Sequence, residues 1–238
     1  MQKLSKGKFI VIEGLDGSGK STQTKLLAEY LKKNGYEVVK IDFPQHGLPS
    51  SYLVDEYLRG KYGAAETVGP YRASIFYAID RYDASFKIRQ WLNQGKAVIA
   101  DRYLTSNIGH QGGKINNKSE RSEYVNWLYD LEYRILGIPK PDITIILKTN
   151  PDITLKLAHK ITDREKLSKR KAYLGDKKRD IHEKDKKHLV NALKSYLWAA
   201  KEFPKDFKVV ECVKEGKLLP PNEIAKMVVK TLQPVLKK

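Results

Sequence analysis

Eight consecutive residues, Gly14 to Ser21, have the types and spacing of a loop that binds phosphate. They read Gly-Leu-Asp-Gly-Ser-Gly-Lys-Ser and match the pattern G-x-x-x-x-G-K-[ST]. In such a loop the glycines let backbone N–H groups point at phosphate oxygens, the lysine reaches the β- and γ-phosphates, and the serine hydroxyl holds Mg²⁺. The pattern predicts a nucleoside triphosphate ligand, bound by Gly14, Asp16, Gly17, Ser18, Gly19, Lys20, Ser21 and Thr22.

A second chemical signal is Asp101-Arg102-Tyr103, which directly follows the apolar run Ala97 to Ala100. An acid at the end of a buried strand beside the glycine loop can organise Mg²⁺, so Asp101 joins Ser21 as a candidate metal residue. The planar guanidinium group of Arg102 can grip a phosphate. A structural ion pair at the start of the next helix is the alternative interpretation.

Other side chains have the chemistry to hold the rest of a nucleotide. Tyr77 and Arg81 are four residues apart and share a helix face, which suits a ring stacked on a base near a phosphate-binding arginine. Arg59 is a further phosphate candidate, or equally a partner of its helix dipole. Amide and hydroxyl groups after Tyr103 can read the edge of a base. The candidate substrate residues are Phe43, Pro44, Arg59, Tyr77, Arg81, Arg102, Ser106, Asn107, His110 and Gln111.

Strand and helix patterns alternate along the chain, so we expect one α/β domain spanning residues 1–238. Most strand runs are continuously apolar, as in a parallel sheet covered on both faces. The sequence predicts a three-layer α/β/α P-loop fold with five parallel strands, at Phe9–Ile12, Glu37–Phe43, Ala97–Ala100, Asp142–Leu147 and Phe207–Val210. Helices are expected at 20–33, 50–59, 71–94, 120–136, 151–161, 184–202 and 221–236.

The segment at 162–183 is polar, basic and poor in large aliphatic residues. It is either a solvated connection or a helical lid that closes over phosphates. We favour the lid, because phosphoryl transfer needs water excluded and charge neutralised.

Composition limits the partners and the setting. The chain has 238 residues and a net charge of +17, which favours anionic partners. Because Cys212 is the only cysteine, we expect no internal disulfide and a cytoplasmic, reducing setting. We expect no membrane span and no signal peptide, since the first strand begins within about eight residues. Basic residues are not interleaved with aromatic ones, so a nucleic-acid partner is not expected.

The residues just described also carry a family resemblance. The chain is similar to the thymidylate kinase family over essentially its whole length. The opening Phe-Ile-Val-Ile-Glu-Gly-Leu-Asp-Gly-Ser-Gly-Lys-Ser-Thr-Gln resembles the start of that family. Five later motifs then occur in the order and at the spacing that they have in the family: Phe43-Pro44, Tyr77…Arg81, Asp101-Arg102-Tyr103, Ser106-Asn107 and Gln111-Gly112.

The resemblance implies phosphoryl transfer from ATP to dTMP with Mg²⁺, in a homodimer. It places Asp16 at the acceptor 3′-hydroxyl, Arg81 near thymine, and Tyr77 on the ring. It places Arg102 on the acceptor phosphate with Arg59 as a second phosphate arginine. Asp101 falls near Mg²⁺, and Ser106 and Asn107 near the base.

The resemblance also implies a catalytic arginine in the lid, because the loop position that carries it in other members is Gly17. Arg164, Arg170 and Arg179 are available, and we prefer Arg170, ahead of Asp180-Ile181-His182-Glu183. Lys20, Asp16, Arg102 and Arg170 are thus the candidate catalytic residues. One departure is His110, where the family often has a tyrosine that disfavours a 2′-hydroxyl.

Two other functions remain open from the sequence. A kinase of another nucleoside monophosphate or of a deoxynucleoside is the first, and a nucleoside acceptor would need Glu13 as general base. A P-loop ATPase that binds nucleic acid is the second, indicated by the charge of +17.

Overall fold

The structure is a computed structural model that describes residues 7–158 and 186–236. Five parallel strands form its central sheet in the order β2-β3-β1-β4-β5. This confirms the predicted five-stranded parallel sheet with flanking helices. The strands are β1 (Lys8–Gly14), β2 (Val38–Asp42), β3 (Ala97–Asp101), β4 (Ile143–Lys148) and β5 (Phe207–Glu211).

Helices cover both faces of the sheet and connect its strands. They are α1 (Lys20–Lys33), α2 (Tyr52–Leu58), α3 (Ala65–Asn93), α4 (Leu104–His110), α5 (Lys118–Tyr129), α6 (Pro151–Ala158), α7 (Lys186–Glu202) and α8 (Pro221–Leu236). Two 3₁₀ turns, Pro49–Ser51 and Gly112–Lys114, and a π-helical turn, Asp130–Ile135, extend α2, α4 and α5.

The central strand β1 is apolar on both faces because each face packs against a separate core. Phe9 and Val11 belong to the core on one side, with Tyr103 and residues of α3, α5 and α7. Ile10 and Ile12 belong to the core on the other side, with residues of α1 and α8. The continuous apolar run in the sequence therefore reflects a strand that is buried on both faces.

The parallel register brings the chemistry to one edge of the sheet. Asp101 at the end of β3 is level with Ile12 of β1 and with Asp42 of β2. The phosphate loop starts two residues after Ile12, so Asp101 and Gly14 meet at the carboxyl edge, where ligands of such folds bind.

Several local predictions were wrong or incomplete. No helix was predicted at the position of α4; this segment is helical because Leu104 and Ile108, one turn apart, are both buried. Gly69, with φ 75°, separates a short first turn from the main body of α3. The predicted helix 120–136 ends in the π turn, and a hairpin of β6 (Val213–Lys214) and β7 (Lys217–Leu218) was missed.

Some predictions fall outside the described part of the chain. They are the lid at 162–183, its arginines Arg164, Arg170 and Arg179, and Asp180-Ile181-His182-Glu183. In the part that the structure describes, no helix has both the length and the apolar character to cross a membrane.

Candidate active site

The loop between β1 and α1 has the backbone conformation that its glycines predict. Gly14, Gly17 and Gly19 all have positive φ, at 144°, 83° and 89°. A Cβ added to Gly14 would lie 2.7 Å from Ser18 Oγ and 2.8 Å from the carbonyl oxygen of Leu147. Only glycine fits at this position, because a side chain would collide with backbone as well as meet an unfavourable φ.

Helix α1 begins at this loop with N–H groups that have no partner within the helix. Its first helical bond runs from Gln23 N to Gly19 O at 2.9 Å, so the N–H groups of Lys20, Ser21 and Thr22 precede the helical pattern. The hydroxyl of Ser18 is buried and has no hydrogen-bond partner among the described residues. Free donors and the positive end of a helix dipole fit a phosphate ligand.

The Lys20 ammonium group lies over the loop. Its Nζ donates to the carbonyl oxygens of Gly14 at 3.1 Å and Leu15 at 3.0 Å, and is 3.8 Å from Asp16 Oδ1. Burial and the nearby Arg102 charge lower the pKa of Lys20 to about 8, although Asp16 offsets part of this. A phosphate would supply the anionic partner that such a lysine needs.

Ser21 and Asp101 have the oxygen ligands that suit Mg²⁺. No cluster of three or more His, Cys, Asp or Glu side chains in the described residues could hold a metal on its own. The charge of Asp101 nevertheless raises the pKa of Lys20, so this carboxylate lies close to the loop. This fits Mg²⁺, which is usually held by one or two protein oxygens together with substrate phosphates.

Arg102 connects the phosphate loop to a cleft. Its backbone has φ 72°, which is uncommon for a residue with a side chain and frequent at functional sites. Its NH2 group donates to Asp16 Oδ1, and its NH1 group lies 3.3 Å from both Ser106 Oγ and His110 Nε2. Desolvation raises the pKa of Asp16, but Arg102 and Lys20 together bring it well below its usual range. Asp16 is therefore a carboxylate at neutral pH.

The cleft has about 710 Å³ of empty volume, including the part open to solvent. It brings together nine of the ten predicted substrate residues and Asp16, and Arg59 is the one that it leaves out. The lining residues are Asp16, Phe43, Pro44, His46, Leu58, Tyr77, Arg81, Arg102, Tyr103, Ser106, Asn107, His110 and Gln111.

Arg81 lines the cleft, and its orientation is fixed by Glu132. Its Nε and NH2 donate to the two carboxylate oxygens of Glu132 at 2.7 and 2.5 Å, and Arg81 and Glu132 are only 2% and 0% exposed. Burial raises the pKa of Glu132, and the Arg81 guanidinium group works in the opposite direction. This two-pronged contact fixes the plane of the guanidinium group.

Asn107 on α4 and Gln111, the C-cap of that helix, complete what we call the polar wall (Arg81, Asn107 and Gln111). Asn107 Nδ2 donates to the carbonyl oxygen of Ser74 at 3.3 Å. Gln111 Oε1 accepts from Lys114 Nζ at 2.7 Å. Both amides are almost fully buried, so their orientations are set by the protein.

Aromatic rings form the apolar side of the cleft. Phe43 packs edge-on against Tyr103 with the ring centroids 5.5 Å apart, and the Phe43–Pro44 peptide bond is cis. The Tyr77 ring packs edge-on against Tyr57 at 6.3 Å. A planar ligand can therefore lie between rings on one side and hydrogen-bonding groups on the other.

Arg59 is the predicted substrate residue that does not line the cleft. It is the C-cap of α2, and its NH1 group is 2.6 Å from Glu56 Oε1. This position at the C-terminal end of the helix is the one expected for a partner of the helix dipole, and a phosphate contact by Arg59 stays a prediction.

Four functional candidates were missed in the sequence. His46 lines the cleft, with its Nδ1 2.5 Å from Asp55 Oδ1. His188 on α7 lies 3.2 Å from His110 Nδ1, and Glu132 and Lys114 support the polar wall. Glu132 had a detectable signal, because it falls on the same helix face as the buried Tyr124 and Leu128.

The sequence of this chain is similar to those of known thymidylate kinases. A family model described as thymidylate kinase matches residues 12–213. A thymidylate kinase of Thermoanaerobacter sp. (strain X514) is 32% identical over 88% of this chain and 92% of its own length. One of Plasmodium falciparum (isolate 3D7) is 35% identical over 62% of this chain and 64% of its own.

Solved structures of the same family share the fold. A thymidylate kinase from Candida albicans superposes with a TM-score of 0.66 at 24% identity, over 96% of this chain and 92% of that one. A thymidylate kinase from Ehrlichia chaffeensis has a TM-score of 0.61 at 25% identity, over 96% of this chain and 100% of that one.

The resemblance drawn from the sequence motifs is therefore confirmed. The match extends from the strand before the phosphate loop to the last strand of the sheet, across the whole cleft. The chain belongs to the thymidylate kinase family, a family of nucleotide kinases.

Proposed function

We propose that the protein transfers the γ-phosphoryl group of ATP to dTMP, giving ADP and dTDP. The contact between Arg102 and Asp16 carries the proposal, because it joins the phosphate loop to a cleft with an aromatic and a polar side. A triphosphate on the loop and a monophosphate in the cleft would meet at Arg102. The two nucleotides then lie end to end, as transfer between them requires.

Catalysis in this proposal comes from alignment and charge neutralisation. An acceptor phosphate oxygen is already ionised near neutral pH, so no strong base is needed. Lys20, Arg102 and the lid residue Arg170 would share the charge that develops on the transferred group. Ser21 and Asp101 would hold Mg²⁺, whose charge would neutralise part of the negative charge of the phosphates.

The state of Glu13 favours a nucleotide over a nucleoside as acceptor. Its carboxylate is fully buried and accepts from Tyr103 N at 2.8 Å, Ser106 Oγ at 3.0 Å and Tyr196 Oη at 3.1 Å. It does not line the cleft, and burial raises its pKa. Because its oxygens are already engaged, Glu13 is placed as a structural acceptor between β1, α4 and α7. A nucleoside kinase would need it exposed to the hydroxyl group.

A coupled assay of ADP release tests the proposal with dTMP, dUMP, dCMP, dAMP and thymidine as acceptors. We expect dTMP to give the highest kcat/KM and thymidine to give no turnover above background. A preference for thymidine or for another monophosphate would refute the proposed acceptor. ATP hydrolysis stimulated by DNA or RNA would instead support the nucleic-acid-binding ATPase that the charge of +17 leaves open.

We also propose that the enzyme is a homodimer formed through α3. Its apolar side chains Tyr71, Ile75, Ile79, Tyr82 and Phe86 recur at helical spacing and are 40–56% exposed. A continuous apolar stripe of this kind is typical of a helix that packs against another copy. Light scattering should give twice the chain mass, and Ile79→Glu should give the monomer; a monomeric wild type would refute the proposal.

We also propose a cytoplasmic location, because the proposed substrates are ATP and dTMP and because the thiol of Cys212 is free. This thiol is buried and lies outside the cleft. Fractionation of the source cells followed by immunodetection tests this placement.

A further inference from the structure

Lys114 is a desolvated lysine that the proposed reaction leaves without a role. It ends the 3₁₀ turn that follows α4, and its Nζ donates to Gln111 Oε1 at 2.7 Å and Tyr57 Oη at 3.3 Å. It takes part in none of the ion pairs between described residues. Burial lowers the pKa of Lys114 to about 8, with Glu66 offsetting part of the shift. Placing an ammonium group here is unfavourable, so a compensating function is expected.

The contact with Lys114 decides which way the Gln111 amide points. An ammonium group has three donors and no acceptor, so the amide atom that faces it must be the oxygen. The NH₂ group then lies on the opposite side of the amide. Nε2 makes no hydrogen bond to any residue in 7–158 or 186–236, and Gln111 lines the cleft.

We propose that Lys114 is a positioning residue that fixes the polarity of the Gln111 amide and thereby the base preference of the cleft. The inference rests on the proposed function, since the base concerned is that of dTMP. An amide NH₂ group directed into the cleft pairs with a carbonyl oxygen of the base and opposes an amino group. Thymine and uracil carry a carbonyl at C4, where cytosine carries an amino group. The polar wall therefore favours pyrimidine bases with two carbonyl groups, such as thymine and uracil, over cytosine.

The neighbouring wall residue has the same polarity. The Arg81 guanidinium group has only donors, and Glu132 holds it in one plane. Without Lys114, the Gln111 amide could rotate by 180° at little cost, because oxygen and NH₂ are nearly the same shape. It would then present an acceptor, which favours the amino group of cytosine.

The test compares Lys114→Met and Lys114→Arg with wild type, using dTMP and dCMP as acceptors. Methionine keeps the apolar stem without the donor, and arginine keeps a donor-only head. We expect Lys114→Met to raise the KM for dTMP roughly tenfold, with kcat within threefold, and to lower the preference for dTMP over dCMP by a similar factor. Lys114→Arg should restore most of both. Lys118→Met, an exposed lysine at the start of α5, should behave as wild type.

A double-mutant cycle separates positioning from a general structural effect. If Lys114 acts through the amide, Lys114→Met should have no further effect on the KM for dTMP in a Gln111→Leu background. The same tenfold loss in both backgrounds would overturn the proposal, as would an unchanged dTMP-to-dCMP ratio in Lys114→Met. If Lys114→Met fails to fold in a thermal melt, Gln111→Glu takes its place in the assays with dTMP and dCMP. Its carboxylate accepts from Lys114 but offers no donor to the base, so the preference for dTMP should again fall. A wild type inactive on dTMP would remove the proposed function as well.

Discussion

The phosphate loop and the polar wall, two sides of one cleft, are encoded in different ways. The loop is a single run of eight residues, and the groups that it offers to a phosphate are backbone N–H groups and one lysine. The wall depends on side chains far apart in the chain, such as Arg81 and Glu132, which are separated by 51 residues. A site made of backbone is therefore fixed by a local pattern, whereas a site made of oriented side chains depends on the tertiary fold.

Replacing Lys20 should have the largest effect on activity and should leave the wall intact. In Lys20→Met we expect kcat/KM for ATP to fall by roughly 10²–10³-fold, because a charge that stabilises the transferred phosphoryl group is lost. Steady-state kinetics with dTMP in excess measure this. Stability should not fall, because the variant also removes a buried ammonium group.

Lys25→Met is the matched control, since Lys25 lies on the same helix and is exposed. It should retain wild-type kinetics. Wild-type turnover by Lys20→Met would contradict the assignment of the loop as the ATP site.

Replacing Glu132 should disrupt the polar wall by destabilising the fold rather than by removing a contact with the substrate. Glu132→Gln leaves the buried Arg81 guanidinium group without its counter-charge, and we expect the free energy of unfolding to fall by about 3 kcal/mol. Urea denaturation measures this loss. The KM for dTMP should rise as well, because Arg81 is no longer held in one plane.

Asp130→Asn provides the comparison within the same π turn. Asp130 pairs with Arg134, but the two side chains are 44% and 71% exposed, so the expected loss of stability is much smaller than in Glu132→Gln. Equal losses in the two variants would show that burial does not distinguish these ion pairs.

The difference between a local sequence pattern and a tertiary contact also explains which parts of the fold the sequence predicts. The central strands were placed within a few residues of their bounds because β1, β3 and β4 are apolar over most of their length. Helix α4 was missed because its buried residues are interrupted by polar ones that face the cleft. A helix that presents amides to a ligand loses the amphipathic pattern by which helices are recognised.

The partners of the wall could be predicted only in part. Arg81 and Glu132 each sit on a buried helix face, so their charges signal a buried pair, but their mutual contact requires the packing of α3 against the π turn. Lys114 gives no such signal, since a lysine after Gly112-Gly113 reads as a solvated turn. Its importance follows from the 2.7 Å contact with Gln111.

A pH dependence of stability compares Lys20 of the phosphate loop with Lys114, the partly buried lysine next to the polar wall. The pKa of Lys114 is about 8 in the folded protein, against 10.5 for an ordinary lysine, because burial disfavours its charge. Between these values the unfolded chain binds more protons than the folded one, so the free energy of unfolding rises with pH. From pH 7.5 to 9.5 the contribution of Lys114 is roughly 1–2 kcal/mol. Lys20, with a pKa also of about 8, acts in the same direction.

Urea denaturation of wild type, Lys114→Met and Lys118→Met at the two pH values separates the contributions. Lys114→Met should gain less stability than wild type over this interval, and the remaining gain should come largely from Lys20 in the loop. Lys118→Met should follow wild type, because Lys118 is exposed. An equal gain in all three proteins would mean that Lys114 is solvated like a surface lysine. The wall would then lack the desolvated lysine that orients Gln111, and of the two lysines only Lys20 in the loop would be desolvated.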